Sequence, residues 1–408
     1  MTKKKYRIAI VGGSIAGCSA AIALGHDGHD ARIFERSSQK LQDRGAGIVI
    51  PAPLFESLKA QRWLDKDTAH ISLQGMSYRV SDSNNAEDGR SIWHRPLDAV
   101  AMRWGHLFAQ LRQRVSDNDY FNGIEVLNIT RAKDQSQTLV LSDGSIYHAD
   151  IVIAADGIHS RTRDLVNGPT SINYSGYVLW RGLLDQTSKP SSHTPTPRNH
   201  VLWHPYSGGM AGCYIIPASD HATSTENHTL NWGIYDKVDA DTLSKLLPDA
   251  TSPEAGSAHA LNYFAKEHLR NLLNTKIPSA SANLFHQTAT PFVQAIVDLD
   301  SKKLVTNNIA LIGDAAAVLR PHAASGAVKA IDNALSLAQE LQSTSSSISD
   351  NLKNWQLQEL PKLQQQVTLS KTLGEGLVTS APIWTDMSEA DMSQWWQSML
   401  EGKNWYLK

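Results

Sequence analysis

Cysteine is scarce in this chain: 408 residues hold two, Cys18 and Cys213. That excludes a disulfide-stapled secreted fold and fits a reducing, cytoplasmic setting. Long apolar runs are missing too. None approaches the ~20 residues that a membrane span needs. The basic Thr2–Lys5 start leads into an apolar run too short for a signal peptide. Charge of one sign is also lacking, since 38 Lys and Arg stand against 40 Asp and Glu for a net −2. Nothing in that balance calls for a nucleic-acid or membrane-surface partner. The histidines are scattered and no Cys cluster is present, so no metal site is expected. No Ser-His-Asp order or nucleophile elbow stands out either.

What is present begins at Arg7–Arg36, RIAIVGGSIAGCSAAIALGHDGHDARIFER. Ile8-Ala9-Ile10-Val11 has no polar alternation, which suits a parallel strand buried on both faces. It ends in Gly12-Gly13-Ser14-Ile15-Ala16-Gly17 and runs into an alanine-rich helix, Cys18–Leu24, then a second strand, Ala31–Phe34, closed by Glu35. A strand, glycine turn, helix and second strand of this kind form a dinucleotide fingerprint. Gly12 serves the tight turn, and Gly17 the close packing of helix on strand. The helix N-terminus offers N–H groups and partial positive charge to a pyrophosphate. The middle glycine of the pattern is Ser14, which crowds the backbone's approach to the phosphate. A carboxylate at Glu35, eighteen residues after Gly17, suits the adenosine ribose of NAD or FAD and argues against NADP in this pocket.

Further along, Arg44-Gly45-Ala46-Gly47-Ile48 marks a close backbone approach, and Arg44 either neutralises phosphate or is a solvent arginine. Helices are expected at Leu54–Leu64 and Arg103–Val115, with strands at Met76–Val80 and Ser91–Trp93 around a polar segment, Asp82–Arg90. Ile124–Ala132, Gln137–Leu141 and Ser145–His148 read as an antiparallel meander. It leads into a buried strand ending in Asp156-Gly157. From about Pro169 the texture becomes sheet-like. Strands are expected at Tyr177–Leu184, His200–His204, Met210–Pro217 and Thr229–Tyr235, with a surface loop at Ser188–Asn199 and a helix near Ala258–Leu273. At Ile309–Ile312 a fully apolar strand returns and ends in Gly313-Asp314. A helix follows, with Val328, Ile331, Leu335, Ala338 and Leu341 on its apolar face. The remainder is helical. Its tryptophans, Trp384, Trp395, Trp396 and Trp405, pack onto the body or onto a second subunit. No internal repeat is present.

Three buried strands thus end in Gly12–Gly17, Asp156-Gly157 and Gly313-Asp314, and ligands of open α/β sheets sit at the carboxyl ends of strands. Asp314 either accepts hydrogen bonds from a polyol or caps a helix. The helix start at Ser325-Gly326 follows a proline and small residues, so it can lie against a flat ring. A helix N-terminus there stabilises negative charge by up to ~2 kcal/mol.

GGSIAG, Glu35, RGAGIVI, Arg103, ADGIHSRTR and IALIGDAAAVLRPHAASGAVKAIDNALSLAQEL resemble the FAD-dependent aromatic hydroxylases, the single-component flavoprotein monooxygenases, over the chain to about residue 342. The opening Gly-Gly-Ser, Tyr177–Gly182 and Arg320-Pro321-His322 look most like the branch that includes 2,6-dihydroxypyridine hydroxylase. The resemblance implies an α/β fold, a Rossmann-like FAD-binding domain interrupted by a β-sheet substrate domain, with C-terminal helices. The expected division is FAD-binding domain 1–75, 98–168 and 291–342, substrate domain 76–97 and 169–290, and C-terminal helical region 343–408. It also implies a reaction: NADH or NADPH reduces FAD, dioxygen adds at the flavin C4a, and the terminal oxygen passes to a small electron-rich aromatic or N-heteroaromatic ring.

By that resemblance Gly12, Gly13, Ser14, Ile15, Ala16, Gly17, Glu35 and Arg36 hold the ADP half. Arg44 and Arg103 lie near the phosphates and ribitol, Gly47, Ile48 and Val126 line the cofactor's path, and Asp156-Gly157 forms the second motif. Gly313 and Asp314 serve the ribityl chain, while Pro321, Ala324, Ser325, Gly326 and Ala327 flank the isoalloxazine. Trp180, Arg181, Trp203 and Tyr214 are expected on the substrate, with His322 and His204 as catalytic histidines. Two positions depart from the family. Ala317 stands where His often follows Gly-Asp-Ala-Ala, and Ala324-Ser325-Gly326 replaces Gly-x-Gly. The rivals are another FAD-dependent oxidoreductase of similar fold and a flavin-binding protein that has lost turnover. The Trp-x-Trp-x-Ile-Pro signature of flavin halogenases is absent. A homodimer is compatible with this plan.

Overall fold

The computed structural model describes residues 4–39, 41, 46–186, 199–219, 228–248, 259–343, 346–403 and 405. Arg44, and all of the expected loop 188–199 but Asn199, lie outside these residues. The apolar runs form a six-stranded nucleotide sheet, ordered Val305–Thr306, Ile309–Leu311, Ile151–Ala154, Arg7–Val11, Asp30–Glu35, Tyr120–Asn122. All neighbours except the first pair are parallel. Ile8, Ile10, Ile151 and Ile153 are fully buried in it, each contributing ~1.5–3 kcal/mol of transfer free energy. The Ile15–His26 and Gly326–Leu341 helices pack against each other beside this sheet. The meander Val126–Arg131, Gln137–Leu141, Ile146–Ala149 joins the same core, with Tyr147 edge-on to Phe34 at 5.2 Å.

The second sheet is ten-stranded and reaches further into the sequence than the texture suggests. Met76–Val80 and Ser91–Trp93 are segments of two long strands, Ile71–Asp82 and Asn85–Arg103, paired as a hairpin. The polar segment expected between them is therefore mostly strand. Gly47–Pro51 adds to the same sheet, antiparallel to Ala99–Arg103, although its sequence neighbours belong to the nucleotide part. The large sheet thus begins in the middle of the cofactor's expected territory.

Alternation along Asn173–Gln186 gives this sheet two different faces. Val178 and Trp180 join a core with Leu202, Ile215 and Trp232, under the Tyr263–Lys276 and Ser279–His286 helices. Tyr177 and Leu179 join the opposite core with Val201, Met210, Tyr235 and the C-terminal tryptophans. Those tryptophans pack on the body of the chain: Trp396 lies 5.6 Å from Trp93 on the Asn85–Arg103 strand, and Trp384, Trp396 and Trp405 are all buried.

Candidate active site

A cavity of about 450 Å³ lies between the two sheets. Its cofactor side is built by backbone. Gly12 adopts φ +98°, and a Cβ there would press on Ala155. A Cβ on Gly17 would collide with the Gly12 carbonyl oxygen, so only glycine lets the helix start this close to the strand. Ser14 places no side-chain cap on the Ile15–His26 helix, and Ser325 places none on the Gly326–Leu341 helix. Ser325 Oγ donates instead to the Ala323 carbonyl at 2.7 Å. Two helix N-termini without side-chain caps therefore border one cavity, lined by Ser14, Ile15, Ala16, Gly157, Asp314, Ser325, Gly326 and Ala327. First-turn N–H groups left open in this way suit the phosphates and the electron-rich ring edge of FAD.

Asp314 is half exposed on the cavity and paired to Lys329, whose Nζ lies 3.0 Å from Oδ1. Lys329 is 1% exposed and also donates to the Ala317 carbonyl. The carboxylate keeps a second oxygen for a ligand hydroxyl. The sequence held the signal for this partner, a single lysine inside the apolar run Val328-Lys329-Ala330-Ile331.

Several expected cofactor residues stand off the cavity. Gly12, Gly13, Gly17 and Gly313 shape the turns behind it without lining it. Glu35 accepts from the N–H groups of Gly13 at 2.7 Å and Ser37 at 2.8 Å. It braces the glycine turn with two of its acceptor sites. Arg36 is exposed, and Val126 belongs to the meander. Asp156 accepts from Ser160 Oγ at 2.6 Å and from Thr162, so it staples the following helix. Burial raises its pKa against those hydrogen bonds. Arg103 does not line the cavity. Its guanidinium donates to the Pro217 carbonyl at 3.0 Å and Thr229 Oγ1 at 2.6 Å and pairs with Asp185. As the last residue of a large-sheet strand, it is held by that sheet.

The ring side is lined by Leu179, Arg181, Val201, Trp203, Met210, Tyr214, Asn231, Tyr235 and His322, with Pro321 and Ala324 between it and the helix start. Gly47 is fixed from both sides, its N–H donating to Asn231 Oδ1 at 2.8 Å and its carbonyl accepting from Arg181 at 3.0 Å. Ile48 lines the cavity beside it. Burial raises the Tyr214 hydroxyl to about 12, with Arg181 opposing the shift.

Trp180 and His204 are corrections, for one reason. Neighbours on a strand point to opposite faces, so Trp180 cannot share a wall with Arg181, nor His204 with Trp203. Trp180 is fully buried and stacked on His268 at 5.7 Å. His204 Nδ1 donates to the Arg79 carbonyl at 3.2 Å, and Nε2 shares a 2.8 Å bond with Ser281 Oγ. Burial pushes its pKa down to about 4, and it is a neutral core residue.

His322 does line the cavity. Its Nε2 shares a 3.1 Å hydrogen bond with the Tyr177 hydroxyl, and its ring lies 4.0 Å from that of Tyr235. Its Nδ1 has no partner among the described residues. Burial first, then Arg320, push its pKa down to about 3, so the imidazole is neutral. The residues that sequence reading missed are Asn231, Tyr235, Lys329, Trp396 and Trp405. The alternation of their strands was the available signal for the first two.

A family model described as FAD binding domain-like matches residues 174–298. The chain is 28% identical over 368 residues to the 2,6-dihydroxypyridine 3-monooxygenase of Paenarthrobacter nicotinovorans, covering 88% of each. It is 25% identical over 353 residues to the 6-hydroxynicotinate 3-monooxygenase of Pseudomonas fluorescens, covering 82% of each. The solved 2,6-dihydroxypyridine-3-hydroxylase from Arthrobacter nicotinovorans superposes with a TM-score of 0.82 at 26% identity, covering 93% of this chain and 95% of that one. In fold, and in sequence over most of its length, the chain is similar to FAD-dependent aromatic hydroxylases.

Proposed function

We propose that this protein is an NAD(P)H-dependent flavoprotein monooxygenase that hydroxylates a small, flat, hydroxylated aromatic ring, most readily a nitrogen heterocycle. The supporting observation is one continuous cavity. Two helix N-termini and Asp314 border one side, and aromatic walls with a single cation, Arg181, border the other among the described residues. FAD, when bound, supplies hydride acceptance from NAD(P)H and the activation of dioxygen for transfer of one oxygen atom to the ring.

The chain's residues do the rest. The first-turn N–H groups of the two helices hold anionic parts of the cofactor, and Asp314 accepts a ribityl hydroxyl. Trp203 and Tyr235 offer aromatic surface to a flat ring, and Arg181 and the Tyr214 hydroxyl orient its polar substituents. Neutral His322, held at Nε2 by the Tyr177 hydroxyl, borders the ring and adds no charge to that wall. Leu179, Val201 and Met210 keep water from that carbon. The expected setting is the cytoplasm, with the ring and dioxygen as the small-molecule partners. No helix of the described residues is long and apolar enough to cross a membrane.

The test is NAD(P)H oxidation under air by the FAD-loaded protein, across a panel of hydroxylated pyridines and phenols, with product masses. A product carrying one added oxygen supports the reading. Cofactor oxidation that never yields an oxygenated ring, on any member of the panel, refutes it.

A further inference from the structure

The ring side of the cavity has one wall that comes from neither sheet. Leu377, Trp396 and Trp405, all from the C-terminal region, face it. Trp405 is 3% exposed. Its Nε1–H donates to the Ala323 carbonyl at 3.0 Å. Ala323 also accepts from Ser325 Oγ, and the next residue, Ala324, is held at φ +50°. That carbonyl thus sits at the turn from His322 into the helix start that borders the cofactor side. The indole is fixed by two more contacts. Its edge meets Trp396 at 5.2 Å, and the Arg95 guanidinium lies 4.7 Å from its ring centre and 5.4 Å from that of Trp396.

A side chain held from three directions is a rigid wall, and rigid aromatic walls discriminate rings by size. We propose that Trp405 is a specificity-determining residue which closes the ring side of the cavity and restricts it to monocyclic substrates. The inference rests on the proposed ring-binding role of this cavity. It adds that the size limit is set by the C-terminal region, with the substrate sheet supplying the polar contacts. Arg95 acts through the two indoles as a positioning residue, since its guanidinium keeps both rings in place from the side of the Asn85–Arg103 strand.

The experiment is equilibrium binding to the FAD-loaded protein, which needs no turnover. Two probes are titrated, 2-hydroxypyridine and its benzo-fused analogue 2-hydroxyquinoline. In Trp405→Ala the monocycle should bind about tenfold more weakly and the bicycle about tenfold more tightly, the range in which a pocket reads a few carbon atoms. Trp405→Phe keeps most of the wall without the Nε1–H donor, and its preference should stay close to that of the wild type. If Trp405→Ala does not stay folded, Trp405→Leu takes its place with the same expectations. An equal change for both probes, or no change for either, overturns the proposal, because a merely structural tryptophan would not reorder ring sizes. Binding of rings without any hydroxylation would refute the proposed function and leave this inference standing. If the wild type binds neither ring, both fall.

Discussion

Replacing Asp314 with alanine does two things at once, and the structure separates them. The carboxylate borders the cavity, where on the proposed reading it holds a cofactor hydroxyl, and it is also the counter-ion of Lys329, whose side chain has no solvent exposure. Removing one partner of a buried pair costs ~3–5 kcal/mol. Asp314 is 53% exposed at its side chain, so the lower figure of about 3 kcal/mol applies to Asp314→Ala. The ammonium would keep only the Ala317 carbonyl among the partners described. In Lys329→Met the carboxylate hydrates through the cavity and a chain of similar length fills the space, so the loss should be about 1 kcal/mol. The double variant removes both charges and should unfold close to the wild-type midpoint.

FAD affinity follows a different order. A hydrogen bond to a charged group contributes ~1.5–3 kcal/mol, so Asp314→Ala and the double variant should both lose roughly one to two decades of affinity. Lys329→Met should lose less. The assays are denaturant unfolding of the FAD-free protein and fluorescence titration with FAD. If Asp314→Ala unfolds no earlier than the double variant, the pair does not carry the stability assigned to it. If the double variant binds FAD like the wild type, Asp314 is not a cofactor ligand.

Two further outcomes follow from the same geometry. His204 is neutral in the fold with a pKa near 4, below its ordinary value. The unfolded chain therefore binds the extra proton, and the stability is full above the ordinary histidine range and lost as pH falls toward 4. Between pH 7 and pH 5 this amounts to roughly 2 kcal/mol. His204→Gln should flatten the fall of the unfolding free energy over that interval, and an unchanged slope would refute the assignment. Gly17→Ala should lower the melting temperature and FAD retention together, because the added carbon meets the Gly12 carbonyl and overpacking costs ~1–3 kcal/mol. A variant with a wild-type melt and full flavin content would contradict the packing described.

What could be read beforehand was local. The glycine turn, the strand at Ile309–Leu311 and the helix after Ser325 announce themselves within a dozen residues each, and they stand where the pattern places them. Arg103 could not be read in this way. Its partners, Pro217, Asp185 and Thr229, lie 82 to 126 residues away, and no local pattern shows that a strand end will be claimed by a distant sheet. Trp180 and His204 failed for a different reason. Their strands were recognised, but the face that meets the cavity is fixed by what packs on the other side, the helices at Tyr263–Lys276 and Ser279–His286. The tryptophans at the end of the chain gave no sign that Trp396 and Trp405 would border the cavity.

Gly47 is gripped at both its backbone groups by side chains of the large sheet, Asn231 and Arg181. On the proposed reading, one stretch of main chain is then shared by two ligands, FAD on one side and the ring on the other. Thermodynamic reciprocity follows. Whatever factor a ring gains by binding the flavin-loaded protein, flavin must gain by binding the ring-loaded one. Retention of the cofactor thus becomes a gauge of ring occupancy, and slow flavin loss in the presence of a tight ring ligand would be the mark of that shared hold.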